Sequence, residues 1–220
     1  MSYRIVPIVI TTILLSFSCL AQTPGDRAKT AASALRNGAL VVRLVSNQRK
    51  TEAFREMLAN PELKDKEKNR IETLLRETES ETREKNGLIM KIFKAEFKIC
   101  PVFFMYDSDS RRLLQKETGG FFLNDNLETD PSITLANIPY LVLKFAYTDE
   151  STTSRAEAMI FMDDQLQDLE APFPYAFPLS NAGLALTHLT SGNLAFEKHF
   201  RKRVAKLNKR LAKAIGALLE

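Results

Sequence analysis

Histidine is scarce in this chain. His188 and His199 are the only two and stand eleven residues apart, so they can build neither a two-histidine helical zinc pair nor a three-histidine site. Cysteine is as rare, with Cys19 and Cys100 alone. Removal of Cys19 with a leader leaves a single thiol in an oxidising compartment, where no internal disulfide can form. Cys100 stands beside Pro101 at a strand entrance with only Lys98 as a nearby cation, which fits a small buried hydrophobe better than a reactive thiol. Glycine-rich phosphate loops and the serine nucleophile elbow are missing. The oxygen-rich stretch 124–130 lacks the glycine and the closing glutamate of a calcium loop. The expectation is therefore no catalytic residue, no metal ligand and no cofactor.

A large excess of either charge is missing too. Lys and Arg number 31 against 27 Asp and Glu, for a net charge of +4 and an isoelectric point of about 9.0, which permits contact with an anionic surface without demanding it. At 220 residues and 45% apolar, the chain is long and greasy enough to bury one core of fair size.

What is present begins at the N-terminus. Arg4 precedes residues 5–15, apolar apart from Pro7, Thr11 and Thr12, and a small-residue stretch follows, ending Ser18-Cys19-Leu20-Ala21. A charged start, a short apolar middle and a cleavage site make a signal peptide over 1–21, too short to stay as a membrane span. Cleavage after Ala21 would leave Gln22 first and a secreted or periplasmic protein with no transmembrane span. The alternative is a lipoprotein anchored at Cys19; lipid processing usually wants Leu three residues earlier, where Ser16 stands.

The chain is organised around residues 102–106, Val-Phe-Phe-Met-Tyr, an uncharged run between Pro101 and Asp107 that predicts a buried strand. Residues 22–97 predict a helical arm. A short alanine-rich helix capped by Asp26 ends at Asn37-Gly38. Residues 39–45 suit either a strand or the buried start of a helix, since periodicity cannot arbitrate so short a run. Pro61 opens a further helix in which 62–86 is mostly charged, and after Gly87 the apolar residues Leu88, Ile89, Ile92, Phe93 and Phe97 return. A helical hairpin with a projecting, solvated middle is expected from 47–97.

Residues 98–220 predict a sheet domain joined to that arm in one unit. Strands are expected at 121–123, 133–135, 140–147 and 156–162, the last two forming an antiparallel hairpin through the polar loop 148–155. Pro172, Pro174 and Pro178 make 172–178 an extended cover strip or sheet edge. At the end, Phe196, Phe200, Val204, Leu207, Leu211, Ile215 and Leu218 form one helical stripe, and the far side carries Lys198, Arg201, Lys202, Arg203, Lys206, Lys209, Arg210 and Lys213. The expected fold is α+β: an N-terminal helical hairpin, a mainly antiparallel sheet of about four or five strands, and a C-terminal basic amphipathic helix packed on it.

Two acidic clusters invite a catalytic reading. Apolar strands ending in Asp107-Ser108-Asp109 and Asp163-Asp164, with Thr148 after a third, resemble the magnesium-binding motifs of haloacid-dehalogenase-like phosphatases. That resemblance implies Asp107 as nucleophile, Asp109 as acid/base, and Asp163 and Asp164 as metal ligands of a metal-dependent hydrolase. Against it, the interval from Thr148 to Asp163 is too short for the helices that fold requires. Moreover, residues 121–128, Phe-Phe-Leu-Asn-Asp-Asn-Leu-Glu, match 160–167, Ile-Phe-Met-Asp-Asp-Gln-Leu-Gln, position by position in type. The shared unit is an apolar strand, an Asx-rich turn, and a leucine returning to the core.

The favoured expectation is an exported, non-enzymatic protein that binds a protein partner or an anionic envelope surface. Its candidate binding residues are Arg201, Lys202, Lys206, Lys209 and Arg210 on the basic helix, and Phe173 and Tyr175 in the proline strip. Nucleic acid is not expected, because no aromatic residues interleave the basic face.

Overall fold

In the computed structural model, residues 23–147, 157–179 and 193–220 are described. The expected leader over 1–21, the expected loop over 148–155 and His188 lie outside them. The run left open between strand and helix is a strand, β1 (Ala39–Leu44). It follows α1 (Pro24–Asn37), whose carboxyl end meets the sheet at Gly38. A Cβ on Gly38 would lie 1.8 Å from the Pro139 carbonyl oxygen, so only glycine lets α1 turn into β1 there.

β1 is the second strand of a five-stranded sheet of order β2-β1-β3-β4-β5, with β2 Val102–Tyr106, β3 Tyr140–Tyr147, β4 Glu157–Met162 and β5 Ala176–Pro178. β1 pairs in parallel with both β2 and β3; β4 is antiparallel to β3, and β5 to β4. The sheet is therefore mixed, not mainly antiparallel. The cause is the connections: parallel neighbours need long crossovers, and helices α2 (Gln48–Leu58) and α3 (Asp65–Glu96) supply one between β1 and β2. Residues 22–97 accordingly are not helical throughout, since they donate β1, an interior strand of the sheet. Residues 121–123 and 133–135 form only isolated bridges, among them Met105 with Phe122, which cover the outer edge of β2.

The two faces of β1 are both buried. Leu40, Val42 and Leu44 point into a core with Leu35 of α1, Ile89 and Phe93 of α3, and Phe200, Leu207 and Leu211 of α5 (Asn193–Leu219). Ala39 and Val41 point the other way, onto Met105, Phe121, Phe122, Leu135 and Leu113 of the short helix α4 (Ser110–Leu114). The α5 stripe is as the periodicity predicts, with every member from Phe196 to Ile215 buried. Each such side chain contributes about 1.5–3 kcal/mol by leaving water. Phe93 and Phe145 lie 6.0 and 6.1 Å from Phe200, and the buried alanines Ala28, Ala31 and Ala32 let α1 pack closely on α5.

Helix α3 begins at Asp65, not at Pro61, because residues 60–63 make a turn in which Asn60 accepts the N–H of Glu62 through its side chain and of Leu63 through its carbonyl. It then runs through Gly87 without a break. Its charged middle is braced by α2 through Arg55 to Glu79 at 2.5 Å and through Asn47 Nδ2 to Thr82 Oγ1 at 2.7 Å. Nearer the sheet, Asn86 is 2% exposed and donates Nδ2–H to the Val45 carbonyl at 2.8 Å, joining α3 to the end of β1.

Replacing Asn86 by Leu leaves that carbonyl without its donor, so stability is expected to fall by about 1–3 kcal/mol. A urea midpoint lowered with unchanged slope is the expected readout; an unchanged midpoint would show the bond contributes nothing.

Candidate functional site

The proline strip and the basic helix come together at one edge of the sheet. Along β5 the backbone groups of Tyr175, Phe177 and Leu179 face β4: Phe161 N–H donates to the Tyr175 carbonyl at 2.8 Å and Leu179 N–H to the Glu157 carbonyl at 2.7 Å. The intervening positions 174, 176 and 178 turn their backbone outward, and two of the three are proline. This edge therefore offers one N–H, from Ala176, where a further strand would need a row. The prolines blunt the edge against strand addition, and anything that docks there must do so through side chains.

Beside the edge lies a groove of about 700 Å³, lined by Pro172, Pro174, Tyr175 and Pro178 on one wall and by Arg210 and Lys213 of α5 on the other. Tyr175 is 43% exposed. Phe173, by contrast, is 1% exposed and packs edge-on against Phe161 at 5.7 Å, while also bordering the groove. Arg210 stacks its guanidinium 4.9 Å from the Phe177 ring, which fixes one cation at the rim.

The remaining basic residues divide into engaged and unengaged. Arg201 bonds Glu96 at 2.6 Å and Glu197 at 2.8 Å. The Arg201 and Lys91 partners in turn hold the Glu197 carboxyl below its usual range. Lys202, Lys206 and Lys209 are exposed, as is Lys213, and none of the four has a carboxylate within 4.0 Å among the described residues. Their spacings of 4, 3 and 4 put them in one row on α5, opposite the buried stripe. The strip and the helix are far apart in sequence, and it is the packing of α5 beside β5 that makes Tyr175, Arg210 and Lys213 share a groove.

The acidic clusters lie apart. Asp107 follows β2 at the end where Tyr106 pairs with Leu44, whereas Asp163 follows β4 at the end where Met162 pairs with Val142 near the start of β3. The two ends of the sheet are separated by about five residues of strand, roughly 16 Å. Asp107 accepts the Ser46 N–H at 2.8 Å. Burial raises the Asp109 carboxyl above its usual value, against the pull of Arg112. Asp163 is bound to Arg27 at 2.9 Å and Asp164 to Lys116 at 2.7 Å. Asp163 and Asp164 border a cavity of about 540 Å³ at the start of β3, where burial and then Asp164 push the Tyr140 hydroxyl up to about 12. Among the described residues, no group of three or more His, Cys, Asp or Glu is placed to hold a metal ion. Cys100 is partly buried, and burial raises its thiol to about 12, which leaves almost no thiolate for chemistry.

The matched segments are the same turn atom for atom. Asn124 Oδ1 accepts the N–H groups of Asn126 and Glu128, and Asp163 Oδ1 accepts those of Gln165 and Gln167. Asn124 N–H donates to the Glu128 carbonyl as Asp163 N–H does to that of Gln167. Leu127 and Leu166 then adopt φ of 63° and 58°. The side-chain oxygen at the first position replaces backbone partners that a tight loop cannot supply.

No protein-family model matches this chain, and neither a curated protein nor a solved structure matches it significantly. The geometry of its own residues is what bears on function.

Since the turns need an acceptor oxygen rather than a charge, Asp163→Asn is expected to keep most of the stability, losing only the exposed part of the Arg27 pair. Asp163→Ala and Asn124→Ala should each cost about 1–2 kcal/mol, the scale of a lost cap. Denaturant titration of the three variants checks this; equal losses for Asp163→Asn and Asp163→Ala would contradict it.

Proposed function

We propose that this is an exported, non-enzymatic protein that binds an acidic protein segment along the outer row of α5 and the adjoining groove at Tyr175. The observation that carries the reading is the row Lys202, Lys206, Lys209 and Lys213, four cations without a carboxylate partner among the described residues. The row spans about 16 Å of helix, a length suited to several carboxylates of an extended or helical segment. Arg201, Arg27 and Lys116, by contrast, are each paired with a carboxylate. Leaving the row unpaired gives a field that attracts an acidic partner and speeds encounter.

The groove narrows the choice of partner. Its floor of prolines and its exposed Tyr175 ring take an apolar side chain, which gives a hot spot beside the charges. A membrane headgroup layer offers charge without such an anchor. Export is supported by the pattern of residues 4–21, a charged start, an apolar run and a small-residue cleavage site.

Fluorescence anisotropy of labelled acidic peptides carrying one aromatic residue tests this. Affinity is expected to fall with added salt and to drop about tenfold or more in the triple variant Lys202→Glu, Lys206→Glu, Lys209→Glu. Tyr175→Ala is expected to weaken binding at low and high salt alike. Retention by anionic vesicles that ignores Tyr175→Ala, with no peptide bound, would overturn the reading in favour of a lipid surface.

A further inference from the structure

At the opposite edge of the sheet the parallel strands β1 and β2 end side by side, Leu44 in register with Tyr106. Their exits diverge. β1 leaves toward α2 and α3, whose Ile89 and Phe93 pack on the face of Leu40 and Val42. β2 leaves through a one-turn 3-10 helix, Asp107–Asp109, to α4, whose Leu113 packs on the face of Val41. Adjacent parallel strands whose connections part to opposite faces leave a crevice at their carboxyl ends. Here it is a cavity of about 720 Å³.

The charge in that cavity is unbalanced. Arg43, Arg49, Lys50 and Arg111 line it against Asp107 and Glu52. Both acids are already engaged, Asp107 with the Ser46 N–H at 2.8 Å and Glu52 with Gln48 Nε2 at 2.7 Å. None of the four cations has a carboxylate within 4.0 Å among the described residues. Arg43 is the telling one. It stands in the interior strand β1 between buried Val42 and Leu44 and is itself half-buried, with Ser110 Oγ at 3.5 Å as its hydrogen-bond partner. Withdrawing a guanidinium from water without a counter-charge is costly.

The donors match an oxyanion. Arg43 and Arg111 present planar forks suited to paired oxygens, and the hydroxyls of Ser46, Ser108 and Ser110 surround them. Asn47 does not cap α2, because its side chain is turned to Thr82. Four cations against two acids leave two positive charges over, the complement of a phosphate monoester, which carries about 1.5 to 2 negative charges at neutral pH. We propose that the cavity at the carboxyl ends of β1 and β2 is a binding site for a doubly charged phosphoryl group, held chiefly by Arg43 and Arg111. It is separate from the acidic-partner groove, which lies at the β5 edge of the sheet.

The test is a titration of the full chain with inorganic phosphate, followed by amide chemical shifts and by calorimetry, with vesicles containing phosphatidic acid as a second arm. Saturable shifts confined to residues 46–50 and 108–111 are expected. Arg43→Gln and, on the surface where folding is not at stake, Arg111→Gln should each weaken binding about tenfold or more, the size of one lost charge-assisted bond. Lys209→Gln should leave it unchanged. Binding to vesicles but not to free phosphate, abolished by Arg111→Gln, assigns the phosphoryl group to a lipid headgroup; binding to free phosphate with no vesicle retention assigns it to a soluble ligand. Shifts that centre on α5, or phosphate affinity indifferent to both arginine variants, would overturn the proposal.

Discussion

A strand that buries both faces must be covered twice, and the remainder of this molecule follows from supplying those two covers to β1. On one side Leu40, Val42 and Leu44 are met by α1, α3 and α5. On the other, Ala39 and Val41 are met by the layer that 110–139 folds over the sheet. Parallel pairing on both flanks is what places β1 so deeply, because each parallel neighbour brings a crossover that must lie against a face. Arg43 is the one charged residue in the strand, and it sits where the two covers part.

The placement of charge is a second consequence. The acidic corners after β2 and β4 are held by partners from other elements, Ser46, Arg27 and Lys116. Among the described residues, the cations without a carboxylate within 4.0 Å include two groups, one along α5 and one around Arg43. Both lie beside concave surfaces, and both owe their position to the sheet order rather than to local sequence. A chain of net charge +4 thus separates structural pairs from available positive charge.

Long periodic or repeated features were legible in the sequence. The stripe from Phe196 to Ile215 was, because a helix face of that length leaves a 3.6-residue signature. So was the twin turn at 124–128 and 163–167, since Asx turns depend on nearby residues, and so was the proline edge. Short-range signals could not settle 39–44, because six mostly apolar residues without alternation suit a doubly buried strand and a buried helix turn equally. The parallel register was equally hidden. It is fixed by pairing between residues some 60 to 100 positions apart, as Leu40 with Val102 and with Leu141. For the same reason the groove at Tyr175 and the cavity at Arg43 draw their walls from separate elements that no local motif connects.

Native-state hydrogen exchange is the direct test of β1 as the shared centre. Amides of Val41 and Val42 are expected to exchange only through global unfolding, with the same free energy as those of Leu143 in β3 and Leu207 in α5. Earlier, separate loss of protection across 24–97, with 102–106 and 140–147 still protected, would show a detachable arm and contradict it.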